Sequence, residues 1–143
     1  MKINYIYKET DTEKKNHNKE FKNQITLLIS QTEKEEKIKF GIINLVFCND
    51  EFIREYNRNY LGHDYETDII TFYDKDGNNK TEGELLISVE TVKNNSIRFK
   101  SGYKMELCRV IIHGILHLCG YQDKTAKERA LMRKKENYYL KLI

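Results

Sequence analysis

Between Tyr103 and Cys119 the chain reads YKMELCRVIIHGILHLC, apolar nearly all the way round a helical projection, and no other segment constrains the fold as much. A helix of that kind has no broad polar side to turn to water, so it must lie buried at the centre of a domain with other elements around it. Arg109, His113 and His117 interrupt it, and no stretch reaches the roughly 18 apolar residues that a bilayer demands. No membrane-spanning segment is expected. A length of 143 residues suits one domain, residues 1–143, with one active site or binding surface.

Around this helix the pattern alternates between strands and helices. Ile3 to Tyr7 and the β-branched, aromatic run from Ile38 to Phe47 predict strands, and Phe21, Ile25, Leu28 and Ile29 recur at helical spacing between them. Asn49 or Asp50 can cap a helix carrying Phe52, Ile53, Tyr56 and Tyr60 on one side. Asp68 to Tyr73, a turn over Asp74 to Lys80, and Glu84 to Ile87 predict a hairpin. Ser88 can cap a helix reaching about Phe99. Gly120 can end the central helix, and Thr125 with Glu128 forms a capping box for a last helix whose apolar side includes Leu131 and Met132. The expected class is α+β, a small sheet covered by helices.

Composition narrows the classes of function. Charged residues make up 33% and hydrophobic residues 39%, and the mean hydropathy is −0.73, polar yet sufficient for a folded core. The net charge of +3 and pI of about 8.6 permit a polyanionic partner without demanding one. Cys48, Cys108 and Cys119 are odd in number and contain no CxxC pair, which predicts buried, reduced thiols. The N-terminal segment lacks a secretory apolar core, so a cytoplasmic location is expected.

His113 and His117, four residues apart, stand on one helix face, about 40° apart around the axis and about 6 Å along it. Gly120 lets the chain turn off the helix end and bring Asp123 back toward them, completing H-x3-H-x2-G-x2-D. Two imidazoles and a carboxylate form a three-point site with positions left for water, a composition used for hydrolytic Zn²⁺ and for non-haem Fe²⁺. The alternative is a hydrogen-bonded pair of core histidines, with Asp123 capping the final helix. Two unpartnered imidazoles in an apolar helix would each cost about 1–3 kcal/mol, which favours a shared ion. Peptidases with a related His spacing carry a Glu as general base directly after the first His; here that residue is Gly114, so peptide hydrolysis is disfavoured.

The segment HGILHLCGYQD resembles the signature HGxLHLxGYDH of the YbeY family, bacterial metal-dependent endoribonucleases of ribosomal RNA maturation. Residues 113, 114, 116, 117, 118, 120 and 121 match it directly, while Gln122 stands where the family has Asp and Asp123 where it has a third His. NRNYLGHDYETDIITF and GELLIS are similar to the family's segments around its central strands, and Leu61 stands where many members carry an Arg linked to activity. The similarity runs from about Phe52 to Glu136. It implies a mixed four-stranded sheet with about five helices, one zinc-type ion (Zn²⁺ first, with Ni²⁺, Fe²⁺ or Mn²⁺ compatible), and hydrolysis of ribosomal RNA in association with the small ribosomal subunit. In such a mechanism the ion activates water or polarises a phosphate oxygen; no dedicated general base is evident.

Other residues are open to two roles. Arg109, one turn before His113, can reach the site or pair with Glu106 along its own helix. Arg58, Arg98, Lys100 and Lys104 can meet RNA phosphates or form an ordinary solvated face. His63 and Asp64 can approach the ion as outer groups or stay on a surface loop, and Tyr121 can stack on a base or pack. A competing function is ribosome assembly by binding, with a mainly structural metal; an open coordination position would separate catalysis from it.

Overall fold

A computed structural model of the protein describes residues 1–10, 14, 16–62 and 67–143. Among these, four strands and five helices follow the chain in the order β1 (Lys2–Tyr7), α1 (Lys19–Glu36), β2 (Phe40–Cys48), α2 (Asp50–Leu61), β3 (Ile69–Lys75), β4 (Thr81–Ser88), α3 (Val89–Phe99), α4 (Tyr103–Leu118) and α5 (Ala126–Leu140). The strands form one mixed sheet ordered β1-β2-β4-β3, with β1, β2 and β4 parallel and β3 antiparallel to β4 on the edge. The expected hairpin is therefore β3–β4. Its turn is held by the Asp76 carboxylate, which accepts from the N–H groups of Asn78 (2.8 Å) and Lys80 (2.9 Å).

Alternation along the strands sorts side chains to two faces. Leu45, Phe47, Leu85 and Ile87 meet α1, α4 and α5 through Phe21, Ile25, Leu28, Ile111, Ile115 and Tyr139. Val46, Cys48, Ile70 and Leu86 face the other way and are covered by Ile53 of α2. The helices begin where local chemistry dictates. Asn18, Asn49 and Ser88 each accept from a backbone N–H in the first turn, and Thr125 and Glu128 exchange the two bonds of a capping box.

α4 lies directly on the sheet, and glycines make that approach possible. A Cβ on Gly114 would sit 2.6 Å from Leu85 and 2.8 Å from Ile69, and one on Gly83 would sit 2.4 Å from Leu118. The missing carboxylate at position 114 thus has a packing cause: that side of the helix is pressed against β3 and β4. Ten residues of α4 are buried, with Arg109, His113 and His117 half-buried along one stripe.

Several boundaries and side chains differ from expectation. α4 closes at its C-cap Cys119 with Gly120 directly after it, as expected, whereas its first turn is open enough to expose Lys104 and Met105. Leu131 is exposed whereas its neighbour Met132 is buried, because one faces away from α4 and the other toward it. Tyr60, near the end of α2, is also exposed, with its ring against that of Tyr56. Cys48 and Cys108 are buried and Cys119 half-buried, all three as free thiols. Among the described residues no helix is long and apolar enough to cross a membrane.

Candidate metal centre

The last two turns of α4 and the loop into α5 bring His113, His117 and Asp123 together, and their ligand atoms all lie within 4.8 Å of one another. His113 Nε2 is 3.0 Å from His117 Nε2 and 3.1 Å from Asp123 Oδ2, and His117 Nε2 is 3.4 Å from that same oxygen. Four-coordinate ligands at about 2.0–2.1 Å from Zn²⁺ stand roughly 3.3 Å apart, so the triangle has the spacing of a shared ion.

Each imidazole is oriented from behind. His113 Nδ1–H donates to Glu136 Oε2 at 2.7 Å, and His117 Nδ1–H donates to the backbone oxygen of Tyr121 at 2.9 Å. A carbonyl can only accept, so the His117 proton resides on Nδ1, and the carboxylate of Glu136 favours the same tautomer at His113. Both Nε2 lone pairs and a carboxylate oxygen then face one point. Three electron-pair donors converging there require a cation, either a proton or a metal ion, and the donor set fits a divalent ion.

His113 shows the same demand. Burial disfavours its charged form, but the hydrogen bond to Glu136 and the charges of Glu136, Asp123 and Asp68 outweigh that and hold its pKa above the ordinary imidazole range. Glu136 is itself buried, 4% exposed, and is balanced by Arg109 Nη1 at 3.1 Å and Arg133 Nη1 at 3.8 Å.

Gly120, at φ +102°, turns the chain off α4. The loop is then pinned by the Tyr121 hydroxyl, which donates to Glu36 Oε1 at 2.6 Å, while Tyr139 and Lys135 bind the other oxygen of Glu36 at 2.5 and 3.2 Å. Arg129 Nη1 donates to the Lys124 carbonyl at 2.7 Å from the α5 side. Tyr121 is therefore a packed anchor of the loop, and Thr125, not Asp123, caps α5.

Two openings reach the donors. A cavity of about 260 Å³ lies between α3, α4 and α5, lined by Asn95, Phe99, Arg109, Arg129, Arg133 and Glu136 together with His113 and Asp123. A second, of about 340 Å³, follows β3 past Thr71 and Tyr73 to His117 and Lys124. Asp68, His113 and Asp123 line both. Burial pushes the Asp68 carboxyl above the usual carboxylate range despite the opposing charge of His113.

Arg109 reaches the site through Glu136. Arg58, Arg98 and Lys100 are exposed and line neither opening, and Lys104 borders a separate cavity with Glu20 and Phe21. His63 and Asp64 lie outside the described residues. Glu136, Asp68, Arg129 and Arg133 were not anticipated from the sequence. Glu136 alone left a signal there, since it shares the Met132, Tyr139 and Leu140 stripe of α5 at spacings of four, three and four, a charge on an otherwise apolar face.

The family model described as Endoribonuclease YbeY matches residues 5–143. The chain is 44% identical over 119 residues to a protein of Cytophaga hutchinsonii named Endoribonuclease YbeY, covering 83% of each chain. It is 56% identical over 99 residues to a protein of that name from Bacteroides fragilis, covering 69% of this chain and 70% of the other. A solution structure of a Thermotoga maritima protein superposes with a TM-score of 0.64 at 27% identity, covering 96% of this chain and 86% of that one.

Proposed function

The chain belongs to the Endoribonuclease YbeY family, and on that premise we propose that it is a metal-dependent endoribonuclease hydrolysing phosphodiester bonds of precursor ribosomal RNA, with His113, His117 and Asp123 as the ligands of one ion. The observation that carries this proposal is the convergence of two Nε2 lone pairs and one carboxylate oxygen, 3.0–3.4 Å apart, on a point open to two cavities. We assign Zn²⁺ on the mixed nitrogen and oxygen donors. When bound, such an ion supplies Lewis acidity toward a phosphate oxygen and acidifies water near neutral pH.

The protein's own groups do the rest. Glu136 and the Tyr121 carbonyl hold both imidazoles in the tautomer that keeps Nε2 unprotonated. Arg109, Arg129 and Arg133 offer guanidinium groups to phosphate oxygens in the cavity between the helices, where such pairs are strong because donor and acceptor are both charged. Asp68, the carboxylate that faces both openings without belonging to the donor triangle, accepts the proton of the attacking water as its oxygen bonds to phosphorus, the bond from phosphorus to the leaving ribose oxygen breaks, and that oxygen takes up a proton. Arg58, Arg98, Lys100 and Lys104, away from the openings, meet more distant backbone phosphates if the RNA continues over the surface. The small ribosomal subunit is the proposed partner and the cytoplasm the proposed site of action.

An assembly factor with a closed structural metal is the second possibility, and the two openings onto the triangle favour catalysis over it. Elemental analysis alongside cleavage of a ribosomal RNA fragment tests the proposal: wild type carries about one ion per chain and cleaves, whereas His117→Ala loses both. Cleavage by metal-free protein overturns it.

A further inference from the structure

Asp123 reaches the donor triangle from a stretch of chain that packs little. Gly120, where this stretch leaves α4, has φ +102° and open space where a Cβ would stand, so no packing holds its dihedral angles. Gln122 and Lys124 are exposed. Gly120 N donates to the His117 carbonyl at 2.9 Å and Tyr121 N to that of Leu116 at 3.1 Å, closing the helix end, and beyond them the first side chain to fasten the loop is that of Tyr121. Its backbone oxygen accepts from His117 Nδ1 at 2.9 Å while its hydroxyl donates to Glu36 Oε1 at 2.6 Å. One residue thus touches a metal donor with its main chain and the end of α1 with its side chain.

Glu36, the last residue of α1, is itself held firmly. Its other oxygen accepts from the hydroxyl of the fully buried Tyr139 at 2.5 Å and from Lys135 Nζ at 3.2 Å, and that ammonium also stands 5.4 Å from the centre of the Tyr121 ring. Burial works against the charge of Glu36, but the hydrogen bonds from Tyr121, Tyr139 and Lys135 outweigh it and hold its pKa below the usual carboxylate range. An ionised carboxylate only accepts, so both hydroxyls donate to it, in bonds strengthened by the charge. We propose that Glu36 is a positioning residue of the metal centre, which by holding the Tyr121 hydroxyl sets the Tyr121 carbonyl on His117 Nδ1 and starts the loop on the course that brings Asp123 to the triangle. This rests on the metal site proposed above. The two imidazoles are then oriented by two carboxylates from different helices, His113 by Glu136 directly and His117 by Glu36 through one intervening residue.

Tyr121→Phe deletes the hydroxyl and keeps the ring and the carbonyl. Calorimetric titration of the metal-free variant with Zn²⁺ should read an affinity about tenfold below wild type, the low end of the loss usual for an outer partner behind a ligating His. Imidazole nitrogen resonances of the same protein should show His117 no longer confined to the Nδ1–H tautomer. Glu36→Ala lowers the affinity by a similar factor, Glu36→Gln recovers part of it because a carboxamide oxygen still accepts, and Tyr121→Phe combined with Glu36→Ala binds no more weakly than either alone, since one acts through the other. Asn49→Ala separates position from stability: it unties the α2 cap, where Phe52 N donates to Asn49 Oδ1 at 2.8 Å, on the opposite face of the sheet, and should lower the urea midpoint with Zn²⁺ affinity unchanged. Wild-type affinity in Tyr121→Phe, losses that multiply in the double variant, or an equal loss in Asn49→Ala overturns the role of Glu36 while leaving the metal site intact. Absence of Zn²⁺ binding by wild type would instead remove the site itself, and the proposal with it.

Discussion

Glu136 Oε2 accepts a hydrogen bond from His113 Nδ1 at 2.7 Å across 23 residues of sequence, joining α5 to the metal-facing stripe of α4. It fixes which nitrogen of His113 carries the proton, and its other oxygen is held by Arg109. Orientation of the donor triangle thus depends on a buried carboxylate that is not itself one of the three donors.

Glu136→Gln keeps size and hydrogen-bonding capacity but removes the charge that favours the Nδ1–H tautomer. Metal affinity should fall about 10–100-fold, the usual loss for an outer carboxylate behind a ligating His. Titration calorimetry of metal-free protein checks this; an unchanged affinity would show that Glu136 serves only Arg109.

The raised pKa of His113 predicts the pH dependence of metal binding. In the metal-free fold a proton stays on His113 to higher pH than on an ordinary imidazole, and the ion must displace it. Affinity should therefore drop by up to about tenfold per pH unit once pH falls below that raised pKa, with about one proton released on binding. For the metal-free fold the sign is the opposite: the stabilisation from His113 is fully present below the unfolded imidazole pKa near 6.5 and is lost as pH rises through the folded value. Chemical denaturation of metal-free protein from pH 5.5 to 8.5 reads this directly.

Asp68→Asn removes a proton acceptor from the cleft without touching the donor triangle. Metal stoichiometry should remain about one per chain while kcat falls on the order of 10²-fold or more. Full activity in this variant would assign proton transfer elsewhere.

Gly114→Ala places a methyl group where Leu85 and Ile69 already stand, at 2.6 and 2.8 Å. Overpacking of this kind costs about 1–3 kcal/mol, measurable as a lower urea midpoint with an unchanged slope. A midpoint equal to wild type would show that α4 can lift from the sheet at no cost.

Much of this protein was legible along the chain because the relevant physics is local. Helix caps at Asn49, Ser88 and Thr125, the β3–β4 turn, and the pairing of His113 with His117 on one face all depend on residues within a few positions of one another. Asp123 falls in the same class, since the Gly120 turn that returns it lies three residues away. What tertiary structure alone decided is the company these donors keep. Glu136 and Arg133 come from α5 and Asp68 from the approach to β3, and beyond the charge of Glu136 on an apolar stripe nothing in their own neighbourhoods points to a metal. They meet at His113 because α4 is buried on its other sides and leaves one stripe half-open, so that every element packed around that stripe must end at the same cleft.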